Sequence, residues 1–289
     1  MSPKHIALGV LAAFIWGATF PWSAWALADT PPIFFTCLRF ICAGAFVLVV
    51  PRPAISWRML ILVSLLMGCG QYGFLFLSMT HGIPAGLASL LVHSQAFFTI
   101  IIAMLFFGER LTGRQYLALG LALAGLCLLA INRFDAGAGL GLIFILLAAL
   151  ISAVGNNVLK TLGHVDMLGV VVWMSVIAPV PLFILSMIFE LPAGGNVLDL
   201  LATVTWTTIG AIVYSAVLAT IFVITIWGRL LVAYSTAMVA PFFLLVPVFG
   251  LSLSAWLLGD RFTPMQIGGE VLVFAGLILA LWPRRGAGV

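Results

Sequence analysis

Ten runs of apolar residues follow one another along the chain, separated by short polar or charged breaks: 6–28, 33–50, 58–79, 84–107, 114–131, 138–159, 168–188, 205–227, 232–258 and 264–282. Each is near the roughly 20 residues that a helix needs to cross hydrocarbon. Lipid offers no partner to backbone N–H and C=O groups, so such runs are expected to be helical. The breaks leave no room for a soluble domain. The pattern therefore predicts an all-α membrane protein of ten transmembrane helices, with the lipid bilayer as its solvent.

The first run has a competing reading. Lys4, an apolar stretch and Ala26-Leu27-Ala28 have the outline of a cleavable signal peptide. The stretch is too long for a typical signal core, and its removal would spoil the repeat described below. It is read as span 1.

Composition agrees with the pattern. Hydrophobic residues make up 64% of the 289 and charged residues 7%, against about 25% charged in soluble domains. A net charge of +4 could point to nucleic acid, but the placement of the charges explains it otherwise. With the N-terminus in the cytoplasm, Lys4, Arg52, Arg58, Arg110, Arg114, Lys160, Arg229, Arg284 and Arg285 fall inside, and only Arg133 and Arg261 fall outside. That is a positive-inside bias with both termini cytoplasmic, and no nucleic-acid partner is expected. Cys37, Cys42, Cys69 and Cys127 all lie in apolar runs without a CxxC pair. They read as small buried hydrophobes, not as metal or redox groups.

The chain repeats internally. Gly108-Glu109-Arg110-Leu111-Thr112 aligns with Gly259-Asp260-Arg261-Phe262-Thr263, and the same offset brings Gln115 to Gln266 and Ala124-Gly125-Leu126 to Ala275-Gly276-Leu277. Leu11-Ala12-Ala13 matches Leu147-Ala148-Ala149 near the starts of the two halves. The halves, 4–131 and 138–283, hold five spans each. An odd number makes the second enter the membrane from the opposite side, giving two inverted five-helix repeats. Such repeats commonly place a site at their interface near the midplane and alternate access around it.

Ile15-Trp16-Gly17, Arg39-Phe40 and the Gly-Glu-Arg-Leu-Thr loop resemble the EamA-type drug/metabolite transporter (DMT) superfamily, over essentially the whole chain. Within it the chain is similar to the YddG-type aromatic amino acid exporters of bacterial inner membranes. The resemblance implies a basket of ten helices whose central cavity is lined mainly by spans 1, 3, 4, 6, 8 and 9, with spans 5 and 10 peripheral. The second half departs from the pattern: Ser152-Ala153 stands where a Trp-Gly pair would match.

Polar groups in hydrocarbon are costly, so each needs a reason. Gln71 and Tyr72 come roughly two-thirds of the way out along span 3, and His93 and Gln95 lie about 13–16 Å down span 4. Tyr214 and Ser215 reach about 14 Å along span 8, and Trp16 is near mid-depth in span 1. One layer thus holds Trp16, Gln71, Tyr72, His93, Gln95 and Tyr214 as candidate substrate-binding residues. Amides and hydroxyls can replace the water around an amino acid's charged ends. Indole and phenol faces can hold an ammonium or stack on an aromatic side chain. For any one of them, interhelical hydrogen bonding is an equally good account. His93 is read as a substrate contact first, a structural hydrogen-bonder second and a proton relay third.

Pro241 and Pro247 fall mid-way in span 9, Pro179 and Pro181 in span 7 and Pro21 in span 1, marking bends. Carbonyls freed by Pro241 could face substrate. Arg39 and Glu270 each lie about 9 Å in from the outer surface and are expected to pair, or each to meet another polar group, in a mainly structural role. Asn156 and Asn157 are candidates for a cytoplasmic gate or for polar packing. Gly68-x-Gly70-x-x-Gly73 fits a dinucleotide fingerprint but lies in an apolar run with no strand before it, so close helix packing is the expectation. Gly120, Gly268, Gly269 and Gly276 read the same way.

The expected function is a secondary transporter exporting aromatic or hydrophobic amino acids and related metabolites by alternating access. The alternative is a proton-coupled exporter of drugs or organic cations. The chain has no P-loop, no HExxH motif and no paired intramembrane carboxylates, so neither an ATPase nor another enzyme is expected, nor any cofactor. A channel would more often show charge rings or repeated carbonyl filters. The protein is expected to work as a monomer in a bacterial inner membrane.

Overall fold

The computed structural model describes residues 1–81, 83, 88, 91–109, 111–130, 139–163, 165–192, 194–258 and 264–281. The loop 259–263 and the side chain of Glu270, both singled out above, lie outside the described residues.

Helix occupies every predicted apolar run, and no strand occurs among the described residues. In chain order the helices are α1 (Pro3–Leu27), α2 (Pro32–Gly44), α3 (Trp57–Ser64), α4 (Gln71–Thr80), α5 (Gln95–Phe107), α6 (Gly113–Ala130), α7 (Gly139–Thr161), α8 (Met167–Ile177), α9 (Pro179–Phe189), α10 (Val197–Ala202), α11 (Trp206–Tyr214), α12 (Val223–Ala233), α13 (Thr236–Val239), α14 (Leu245–Leu258) and α15 (Pro264–Leu281). Five continuous stretches are long and apolar enough to cross a membrane: Pro3–Leu27, Trp57–Thr80, Gly139–Thr161, Met167–Phe189 and Trp206–Ala233. Shorter apolar helices include Pro32–Leu48 and Gln95–Phe107. This is a multi-pass membrane protein.

Side-chain oxygens close the ends of several of these helices. Ser2, Ser56, Asp166 and Thr205 each accept a first-turn amide of α1, α3, α8 and α11, satisfying donors that the helix itself cannot. The outward faces are apolar: Leu48, Phe106 and Trp206 are 89%, 79% and 86% exposed. In water such surface would be a liability, and in lipid it is the expected exterior.

Glycine sets the closest approaches. A Cβ on Gly17 of α1 would stand 2.6 Å from Phe249 Cβ and 2.9 Å from the Gly250 nitrogen of α14. Gly68 meets Ala178 at 2.6 Å, and Gly276 of α15 meets the Ala118 carbonyl of α6 at 2.7 Å. Gly68 and Gly276 bear out the packing reading given to them. Gly120 and Gly268 do not, because among the described residues a Cβ on either would meet nothing within 4 Å.

Among the described residues the chain departs from regular α-helix at several places in the interior. Leu65–Gly70 and Ser215–Phe222 are π-helical, the first after the eight residues of α3 and the second after the nine of α11. The chain turns at His93–Ser94 before α5, and Ala240–Leu244, containing Pro241, is a 3-10 turn. π-Helical segments within α-helices recur at functional sites. The break between α8 and α9 falls at Pro179, one of the bends expected from sequence.

Candidate functional site

Three of the polar candidates, Gln71, Gln95 and Asn156, join into one seam. The Ser152 hydroxyl of α7 lies between the side-chain oxygens of Gln71, at 3.1 Å, and of Gln95, at closer range. A hydroxyl has one proton, so it donates to one of these two oxygens at a time. One turn along α5, the Gln95 backbone carbonyl accepts from Thr99 Oγ1 at 2.6 Å, and Thr99 Oγ1 accepts from Asn156 Nδ2 at 3.4 Å. Asn156 Oδ1 then accepts from the indole N–H of Trp227 at 3.2 Å.

An aromatic cluster continues the line. The Trp227 and Phe243 rings are 3.9 Å apart, and Phe243 stacks on Trp16 at 5.3 Å with an interplanar angle of 10°. Trp16 Nε1 donates to the Ala219 carbonyl in the second π-helical segment at 2.9 Å. In return, the Tyr214 hydroxyl, one residue before that segment, donates to the Ile15 carbonyl at 2.9 Å. Two reciprocal bonds thus tie α1 to the irregular stretch.

Other candidates stand beside this seam. Trp22 stacks on Tyr214 at 5.7 Å, and Phe20 meets His93 edge-on at 6.2 Å. His93 is 6% exposed and sits at the turn. Pro241 is buried within the 3-10 turn. The Ser94 and Ser215 hydroxyls, each at an irregular segment, have no hydrogen-bond partner among the described residues. Tyr72 is drawn away from the layer: its hydroxyl accepts from an Arg39 Nη2 N–H, and the guanidinium lies 4.7 Å above its ring. Arg39 thus meets another polar group, one of the two outcomes expected for it. Asn157 turns to the Thr99 and Ala153 carbonyls at 3.1 and 2.9 Å, a packing role, while Asn156 belongs to the seam.

A separate charged cluster was not anticipated. Gly108, at φ 65°, closes α5 and presents Glu109. The Glu109 carboxylate accepts from the Lys160 ammonium at the end of α7, and from the Thr236 amide at 3.0 Å and its hydroxyl at 3.1 Å. Burial works to raise the Glu109 pKa. The bonds from Lys160 and Thr236, with the ammonium's charge, outweigh it and hold the carboxyl below the ordinary value. Glu190, just past α9, takes the Ile33 and Phe34 amides of α2 at 2.5 and 2.8 Å and the Ser186 hydroxyl at 2.8 Å. Here burial prevails over those bonds and its pKa is raised.

Sequence reading missed Thr99, Trp227 and Phe243, and noted Ser152 only for the absent Trp-Gly pair. Thr, Trp and Phe in apolar runs look like ordinary core. The one signal present in the sequence is the position of Thr99, one helical turn along from Gln95.

Models of known families match this chain twice with the same description, EamA-like transporter family, over residues 3–131 and 139–282. A protein of Escherichia coli (strain K12) named "Probable amino-acid metabolite efflux pump" is 36% identical over 292 residues, spanning 99% of this chain and 97% of its own. Its namesake in Salmonella typhimurium is likewise 36% identical with the same coverage. A crystal structure superposes with a TM-score of 0.79 over 97% of both chains at 17% identity, a likeness of fold alone.

Proposed function

The chain belongs to the EamA-like transporter family, and on that footing we propose that it exports amino acids and related metabolites across a bacterial inner membrane. Two inverted five-helix halves, 4–131 and 138–283, form ten spans with both termini in the cytoplasm. They alternate access to a mid-membrane site, and the protein works as a monomer. The two stretches matched by the family model support the division into halves. The positive-inside distribution supports the orientation.

One observation carries the reading: the hydrogen-bonded seam crosses from Gln71, Gln95 and Thr99 in the first half to Ser152, Asn156 and Trp227 in the second. Relative motion of the halves must remake those bonds. A substrate that exchanges hydrogen bonds with the seam therefore biases one arrangement over the other. Trp16, Gln71, Tyr72, His93, Gln95, Tyr214 and Pro241 are the proposed substrate-binding set, with Asn156 in the gate. The stacked Trp16–Phe243 pair and the Trp227 ring favour aromatic or hydrophobic amino acids.

The test is counterflow in proteoliposomes with labelled amino acids, with and without an imposed pH gradient. Saturable, trans-stimulated flux is expected. Non-saturable flux would make the protein a pore, and flux of organic cations alone, driven by the pH gradient, would favour proton-coupled drug export.

A further inference from the structure

We propose that Arg39 and Tyr72 form an anion-binding subsite that takes the carboxylate of the transported molecule. The inference rests on the export reading and deepens it, since it assigns one end of the substrate.

Arg39 lies in the middle of α2 and is 9% exposed. Its guanidinium keeps its charge at any working pH and has five N–H donors in a planar fork. A cation in an apolar span is expensive and is normally matched by a carboxylate or by carbonyls. Among the described residues no carboxylate comes within ion-pair distance of it; the one ion pair there joins Glu109 to Lys160. Glu190 is engaged instead by the first amides of α2 and by Ser186. Among the described residues Arg39 Nε is buried without a hydrogen-bond partner.

Two ring faces, of Phe40 and Tyr72, lie 5.0 and 4.7 Å from the guanidinium carbon. They attract the charge, but they accept no hydrogen bond in the plane of the fork. The acceptor that Arg39 does have is the Tyr72 hydroxyl. That oxygen accepts from Arg39, so its own proton is left to donate elsewhere. A guanidinium with open donors and a phenolic O–H beside it make the donor set that a carboxylate accepts, as a charge-assisted group of hydrogen bonds. Tyr72 directly follows Gln71, the first member of the seam. The two side chains leave the axis of α4 about 100° apart at nearly the same depth, so a carboxylate held here sits at the level of the seam.

The full-length protein in lipid nanodiscs, titrated with four probes, tests this by intrinsic tryptophan fluorescence. The probes are phenylalanine, phenylalaninamide, phenethylamine and 3-phenylpropionate. The wild type is expected to prefer the two carboxylates over the amide and the amine. Tyr72→Phe removes the hydroxyl and keeps the ring, and should cut the acid-over-amide preference by about tenfold, as loss of one charge-assisted bond implies. Arg39→Gln should abolish the preference and Arg39→Lys should restore part of it. If Arg39→Gln fails to fold, Tyr72→Phe still decides. A preference unchanged in Tyr72→Phe overturns the subsite, and so does a wild type that binds neither carboxylate. Carboxylate binding without amino acid flux in liposomes would retain the subsite and remove the export reading. Flux with an unchanged preference would do the reverse.

Discussion

The Lys160 ammonium at the end of α7 donates to the carboxylate of Glu109, 51 residues earlier in the chain, and the same carboxylate receives the first amide of α13. One acidic side chain therefore joins α5 to two elements of the second half. Gly108 and Glu109 stand just where α5 stops.

Removing that charge should loosen the junction. Glu109→Gln leaves Lys160 without its counter-ion and weakens the cap on Thr236. The two side chains are 16% and 18% exposed, so solvent screens part of the interaction. A loss of about 1–3 kcal/mol is expected, read as a lower Tm in detergent. Lys160→Met should cost less, because the Thr236 bonds to Glu109 survive.

The same contact should depend on pH in one direction. The folded-state pKa of Glu109 is depressed. Its stabilisation is then complete above the unfolded carboxylate value of about 4.3 and is lost as pH falls through the lower folded value. The Tm difference between wild type and Glu109→Gln should be level from neutral pH to about pH 5 and close only below about pH 4. A difference that grew on acidification would contradict the assignment.

Ser152→Ala should break the seam at its first junction. Both Gln71 and Gln95 lose the hydroxyl they share. The cost is about 1–3 kcal/mol for polar groups left unpaired, with a fall in amino acid flux. Ser152→Thr keeps the hydroxyl and should retain more of both. Full flux in a stable Ser152→Ala variant would remove the seam from the transport cycle.

Gly17→Val should destabilise the α1–α14 crossing, where even a Cβ would lie 2.6 Å from Phe249. Overpacking of this kind costs about 1–3 kcal/mol. Gly120→Val, in open space, is the control and should leave Tm nearly unchanged.

His93→Ala and Tyr214→Ala are each expected to reduce flux without unfolding the protein. Unaltered flux in both, measured by counterflow, would misplace the binding layer.

The order of apolar runs was legible in the sequence because lipid removes alternatives. A run of about 20 apolar residues in hydrocarbon must close its own backbone hydrogen bonds, and only a helix does so within one segment. An expected depth for Trp16, Gln71, Gln95 and Tyr214 could be read too, since rise per residue fixes position along a helix. What a side chain faces was not. Depth says nothing about rotation around the axis, so Gln95 and Asn156 became one seam, while Tyr72 turned to Arg39 and Asn157 to the Thr99 carbonyl.

Sequence by itself therefore determined the solvent, the helical class and the family, because these follow from composition, run length and motifs along one chain. Tertiary structure alone decided that Ser152 bridges two glutamines, that Glu109 holds Lys160 and that Arg39 meets Tyr72. Those pairings join residues 33 to 81 positions apart. Their geometry depends on which helices pack and how each is rotated, and interdigitation of side chains from several helices at once settles that.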